Sequence, residues 1–171
     1  MNADTSVRRL SVLETSFWIA AHRAEVVGNC LDFFDIMVPR AVEDEILSRQ
    51  MGAPRREYPY ATMFRHLRRE MRDPPWPAPD PLPVFGRGEA AAIPIAQHLS
   101  AVLLMNERRA TSYALARRID VITVPAFVVA LQEQDIISHR AALRKLELIE
   151  SMTAPAIMAA ARRSLRPLPN G

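Results

Sequence analysis

Gly86-Arg87-Gly88-Glu89-Ala90-Ala91-Ala92-Ile93-Pro94-Ile95-Ala96, followed by Ala101-Val102-Leu103-Leu104-Met105-Asn106-Glu107-Arg108-Arg109, is the stretch that decides how the chain is read. It predicts a helix opened by glycines, a short apolar run of strand length, and a polar turn into a second helix. Two carboxylates stand out within it. Glu89 shares a helical face with Ala92, Ile93 and Ala96, at spacings of three, four and seven, so docking that face on a sheet carries an acid toward the interior. Glu107 falls just past the carboxyl end of the apolar strand, the end at which open parallel sheets bind their ligands.

The rest of the composition frames this stretch. With 171 residues, 49% of them hydrophobic, the chain suits one domain with a full core. The formal charge is only +3 although the pI is about 9.6, and Arg supplies all but one of the 22 basic residues, Lys145 being the exception. Arg favours planar contact with phosphate or carboxylate, so the bias is permissive for nucleic acid. Cys30 is the single cysteine, which excludes a disulfide framework and suits a reducing compartment. His22, His66, His98 and His139 lack zinc-ligand spacing. No apolar run reaches transmembrane length, and Arg8 and Arg9 precede no signal-peptide core, so a cytoplasmic protein without a membrane partner is expected.

Upstream of the deciding stretch, Leu10 to Leu13 is a strand ending in Glu14-Thr15-Ser16, and a helix is expected over 17–30. Thr15 and Ser16 are the residue types that cap helices; Glu14 stands to its strand as Glu107 does to the later one. A second strand over 33–38 closes at Pro39, which suits the first turn of a helix over 40–49. There Glu45 shares a face with Ala41 and Val42, while Glu43 and Asp44 point elsewhere. A basic segment with interleaved aromatics follows, carrying Arg55, Arg56, Arg65, Arg68, Arg69 and Arg72 beside Tyr58, Tyr60 and Phe64. Such a mixture suits single-stranded nucleic acid and equally suits a solvated helix face. Six prolines between Asp73 and Pro83 predict an extended surface strap over 73–83. Downstream come a helix over 108–118, a strand over 121–124 stopped by Pro125, helices over 126–134, 139–150 and 154–164, and a basic tail with Arg162, Arg163 and Arg166. The alternation of strand and helix predicts an α/β fold with a parallel sheet and helices on both faces.

Four acids therefore stand apart: Glu14 and Glu107 at strand ends, Glu45 and Glu89 on inward helix faces. Gathered in one cleft they repel, unless something positive lies between them. Mg²⁺ or Mn²⁺ takes such oxygen ligands, activates water and steadies charge on a phosphodiester under attack. Thr15 or Ser16 is placed to hold a phosphate oxygen or a water there. Each acid also has an ordinary alternative. Glu89 and Glu107 sit near helix starts, where the dipole favours a carboxylate; Glu45 suits solvent and Glu14 an ion pair with Arg.

The segments Leu13-Glu14-Thr15-Ser16, Val38 to Ile46, Gly88 to Ile93 and Leu103 to Ala110, in this order and followed by Ile119 to Val124, resemble the successive motifs of the PIN-domain family, in particular its VapC-like branch of small prokaryotic nucleases. The likeness covers most of residues 10–150. It implies a three-layer α/β/α PIN-like domain, with the C-terminal helices and tail over 139–171 appended. It further implies a ribonuclease site in which Glu14, Glu45, Glu89 and Glu107 are at once the metal ligands and the catalytic acids, with Thr15, Ser16 and Asn106 in support. The resemblance makes RNA and an antitoxin protein the expected partners; the arginines of 55–72, a segment that the family pattern does not predict, and Arg108 are the expected RNA contacts. The family generally carries Asp where this chain has Glu14 and Glu107, each one methylene longer.

Two functions are thus expected to compete: a Mg²⁺- or Mn²⁺-dependent endoribonuclease, and a catalytically impaired PIN-like module that binds RNA or protein through 55–72. A homodimer is a further expectation, because the apolar region from Ile149 to Ala161 suits burial against a second copy; it suits an ordinary core helix as well.

Overall fold

Four short strands, all parallel, form the centre of the protein in a computed structural model that describes residues 8–51, 58–75 and 78–166, the side chains of 48–51 excepted. The strands are β1 (Arg9–Leu13), β2 (Phe34–Met37), β3 (Val102–Leu104) and β4 (Val121–Ile122), in the spatial order β2-β1-β3-β4. Ser11 pairs with Val102 and Leu13 with Leu104, while on the other side Arg9 pairs with Phe34 and Val12 with Met37. Every residue of β3 is buried, as in a parallel strand covered on both faces. The chain leaves β1 toward β2 and later returns on the opposite side to lay down β3 and β4. This reversal makes the carboxyl ends of β1 and β3 the switch point of the sheet, the place where open parallel sheets hold their ligand crevice.

Helices cover both faces, giving the expected three-layer α/β/α arrangement. They are α1 (Thr15–Arg23), α2 (Val27–Phe33), α3 (Arg40–Met51), α4 (Pro59–Leu67), α5 (Arg87–Leu99), α6 (Arg108–Ala116), α7 (Val124–Glu133), α8 (His139–Ile149) and α9 (Pro155–Ser164). Phe17, Trp18, Ile46, Phe64, Ile93, Leu103, Leu104, Met105, Leu131 and Leu146 are among the largest fully buried side chains. Trp18 ties α1 to α4: its indole N–H donates to the Tyr60 carbonyl at 2.8 Å, and its ring meets Phe64 edge-on at 5.2 Å. Among the described residues no helix is long and apolar enough to cross a membrane.

Several boundaries differ from those expected. The helix over 17–30 is two helices, because Glu25 adopts φ 57° and reverses the chain after α1. Lys145 satisfies the break by donating to the Ala24 and Glu25 carbonyls at 3.1 and 3.0 Å. β4 stops at Ile122, because Thr123 caps α7 by accepting from the Ala126 N–H; Val124 and Pro125 then belong to the helix. The basic tail is anchored in part. Arg162 and Arg163 lie in α9, and Arg166 holds Gln132 through its backbone N–H and its guanidinium, both at 3.1 Å. Of the region from Ile149 to Ala161, which suits either a second copy or an ordinary core helix, Ile149, Met158 and Ala161 are buried in the chain's own core, while Met152, Ala156, Ala159 and Ala160 are exposed.

The strap is docked by a proline inside a helix. Pro94 lies within α5 and has no N–H for the carbonyl of Ala90, four residues earlier. Leu82 N–H donates to that carbonyl at 3.0 Å. Earlier in the same crossover, Arg72 forms a parallel bridge with Met37 and covers the outer edge of β2. Between strap, α3 and α5 runs an apolar groove of about 950 Å³, and none of the four acids lines it.

Candidate active site

Glu14 follows the last residue of β1, and its N–H donates to the Leu104 carbonyl at 3.0 Å, which carries the sheet register one residue into the crevice. It is 2% exposed. Residue-type preference assigned the α1 cap to Thr15 or Ser16, but Glu14 is the cap. Its Oε2 accepts the Ser16 N–H at 2.8 Å and also the Ser16 hydroxyl. Glu107 does the same for α6, accepting the Ala110 N–H at 2.7 Å. Glu89, third residue of α5, turns back to accept the N–H of the cap residue Gly86.

Glu45 comes from α3 and is held between two elements. Its Oε2 accepts the Thr15 hydroxyl at 2.6 Å, and its Oε1 accepts the Gly88 N–H at 2.9 Å, one of the amides that the first turn of α5 leaves without an intrahelical partner. Its neighbours turn away, Glu43 to Arg68 at 2.9 Å and Asp44 to Arg87 at 3.8 Å. All four acids thus rest on the amino ends of α1, α5 and α6, whose positive dipole ends lower the cost of gathering negative charge.

Compensation is incomplete. Burial pushes the Glu14 carboxyl up to about 7; the two Ser16 hydrogen bonds oppose this, and the charges of Glu89 and Glu45 reinforce it. Glu89 is also raised, first by burial and then by the charges of Glu45 and Glu107. The acids of four distant segments therefore share one electrostatic neighbourhood. They do not converge as a ready-made chelate: among the described residues no group of three or more His, Cys, Asp or Glu side chains is arranged to hold a metal ion. The donor set nevertheless fits a hard dication in chemistry, being entirely carboxylate oxygen with residual repulsion that a cation would relieve.

Of the supporting residues, Thr15 and Ser16 serve the carboxylates directly. Asn106 lies deeper: its N–H donates to Ser16 Oγ at 3.0 Å, its Oδ1 accepts the Val124 N–H at 3.2 Å, and its Nδ2 donates to Thr153 Oγ1 at 3.3 Å. It braces the crevice floor through Ser16. Gly88 is the residue that sequence reasoning missed. A Cβ there would collide with the Glu45 carboxylate and lie 3.2 Å from Thr15 Oγ1. The signal available was two glycines flanking Arg87 just ahead of an inward acid.

The arginines of the basic segment divide differently from expectation. Arg55 and Arg56 lie outside the described residues. Arg68 joins Glu43 and Asp73, Arg72 pairs with Asp35 at 2.6 Å, and Arg69 lies 3.6 Å from Glu70. Arg65 is likewise engaged. Arg108, first residue of α6, is exposed beside Glu107. No protein-family model matches the chain, and no curated protein matches it.

Proposed function

We propose that the crevice is the active site of a Mg²⁺- or Mn²⁺-dependent endoribonuclease of the PIN type, the fold and motif order resembling toxins that a small antitoxin protein silences. One observation supports the reading: Glu14, Glu45, Glu89 and Glu107 share one electrostatic neighbourhood beside the switch point of the sheet, where burial and neighbouring charge push Glu14 up to about 7 and raise Glu89. Those four acids would hold the cation, which supplies activated water and neutralises charge developing on the phosphodiester. The chain's own groups set the stage. Ser16 and Thr15 fix the orientation of Glu14 and Glu45, and Glu14, ionising near neutrality, governs how readily the site is charged for a cation.

The test is cleavage of a labelled single-stranded RNA with Mn²⁺ and with EDTA. Manganese-dependent cleavage that disappears in folded Glu89→Gln supports the proposal; no cleavage at any manganese concentration overturns it.

A second reading has its own support. Each of the four acids already accepts a helix N–H or, for Glu45, both an N–H and a hydroxyl, so the set also serves as structural capping in a binding module without turnover. In that case Glu89→Gln changes stability and leaves RNA binding intact.

A further inference from the structure

Arg109 and Tyr113 of helix α6 and its C-terminal cap residue Arg117 follow at successive spacings of four, which places them along one side of the helix. Their side chains form a ladder with Phe85 from the end of the strap. The Arg117 guanidinium lies 3.5 Å from the Tyr113 ring centroid, the Tyr113 and Phe85 rings meet edge to face at 4.8 Å, and the Arg109 guanidinium sits 5.6 Å from the Phe85 centroid. Stacking a guanidinium on a ring occupies its face and leaves its N–H edge pointing outward, a fixed fork for phosphate. Both arginines are exposed, and no carboxylate among the described residues pairs with either, in contrast to Arg68, Arg69 and Arg72. Arg109 lies two residues after Glu107, the acid that caps α6, and Phe85 adjoins Gly86, on which Glu89 is folded.

We propose that this face of α6, rather than segment 55–72, is the track along which a single-stranded RNA leaves the carboxylate crevice, with phosphates on Arg109 and Arg117 and bases against the Tyr113 and Phe85 rings. From Arg109 to Arg117 the helix rises about 12 Å, enough for roughly three to four stacked nucleotides at about 3.4 Å each. Charge complementarity selects a polyanion, and the half-buried aromatic rings between the cations select one with unpaired bases. The inference takes its substrate class from the nuclease reading, yet binding is measured apart from cleavage.

The experiment is fluorescence anisotropy of a labelled single-stranded RNA on the full chain in EDTA, over a salt series. Arg109→Gln and Arg117→Gln should each weaken binding by about threefold to tenfold and lower the log-log salt slope by about 0.7, one phosphate contact each. Tyr113→Ala should cost about fivefold or more, and Tyr113→Phe should restore it. Arg69→Gln and Arg72→Gln should leave the slope unchanged, and unaltered thermal melts establish that the exposed α6 variants are folded. Equal losses from Arg69→Gln and Arg72→Gln, an unchanged slope in both α6 variants, or displacement of the RNA by polyglutamate at equal charge concentration would each overturn the track. Binding with this pattern and no cleavage on adding Mn²⁺ would leave the track standing and remove the nuclease; Glu89-dependent cleavage untouched by the α6 variants would do the reverse.

Discussion

The backbone N–H of Gly88 donates to Glu45 Oε1 at 2.9 Å, and no side chain fits between the two residues. Gly88→Ala therefore pushes the Glu45 carboxylate off the amino end of α5. The group that must move is the tip of a flexible side chain, and Ala is the better helix residue, so stability should change by no more than about 1 kcal/mol. Manganese affinity and RNA cleavage should fall at least tenfold. Calorimetric manganese titration beside a urea melt checks both, and a Gly88→Ala protein with wild-type affinity would remove Glu45 from the ligand set.

Stability should depend on pH in an unusual direction. Glu14 has a folded pKa of about 7 against an ordinary 4.5, so between these values the folded state binds more protons than the unfolded. The stabilising contribution of the protonated form is full below about 4.5 and is lost as pH rises through about 7, on the order of 3 kcal/mol. Glu89 acts in the same sense. Urea melts at pH 5 and pH 8 should show the protein weaker at pH 8, and Glu14→Gln should remove most of the difference. A steeper loss toward acid pH would contradict the assignment.

How much of this the sequence discloses depends on the range of the interaction. The parallel sheet is legible, because β3 is a bare apolar run and each strand is followed by a helix. The inward acids are legible from helical periodicity. The break in the helix over 17–30 is not. Glu25 takes the left-handed conformation that normally advertises itself as Gly, as Ser100, Arg118 and Asp135 also do, while buried Val26, Val27 and Cys30 keep the apolar pattern running across it. Nor does composition separate paired from unpaired arginines. Besides the nearby Asp73, Arg68 finds Glu43, 25 residues upstream, and Arg72 finds Asp35, 37 residues upstream, pairings that only tertiary contact makes.

Arg68 joins α3 to the start of the strap through Glu43 and Asp73. Its guanidinium is partly buried, so Arg68→Ala should destabilise by about 1–2 kcal/mol. RNA affinity in EDTA should be unaffected. A loss of affinity without loss of stability would return the nucleic-acid interface to segment 55–72.

Pro94 frees the Ala90 carbonyl and Leu82 N–H fills it. Pro94→Ala supplies an intrahelical N–H that competes for the same acceptor. Cleavage by chymotrypsin after Phe85 should accelerate several-fold while α5 holds or gains stability. Leu82→Pro, which removes the competing donor, should accelerate it too, at a cost of about 1–3 kcal/mol for the unpaired carbonyl. Unchanged proteolysis in both variants would show that this bond does not hold the strap.

The most direct measurement is anomalous scattering from manganese soaked into crystals at pH 8, where Glu14 is ionised. The expected result is a peak among Glu14, Glu45, Glu89 and Glu107 that vanishes in Glu89→Gln. Crystals saturated with manganese that show no peak among these carboxylates would contradict the metal-dependent site.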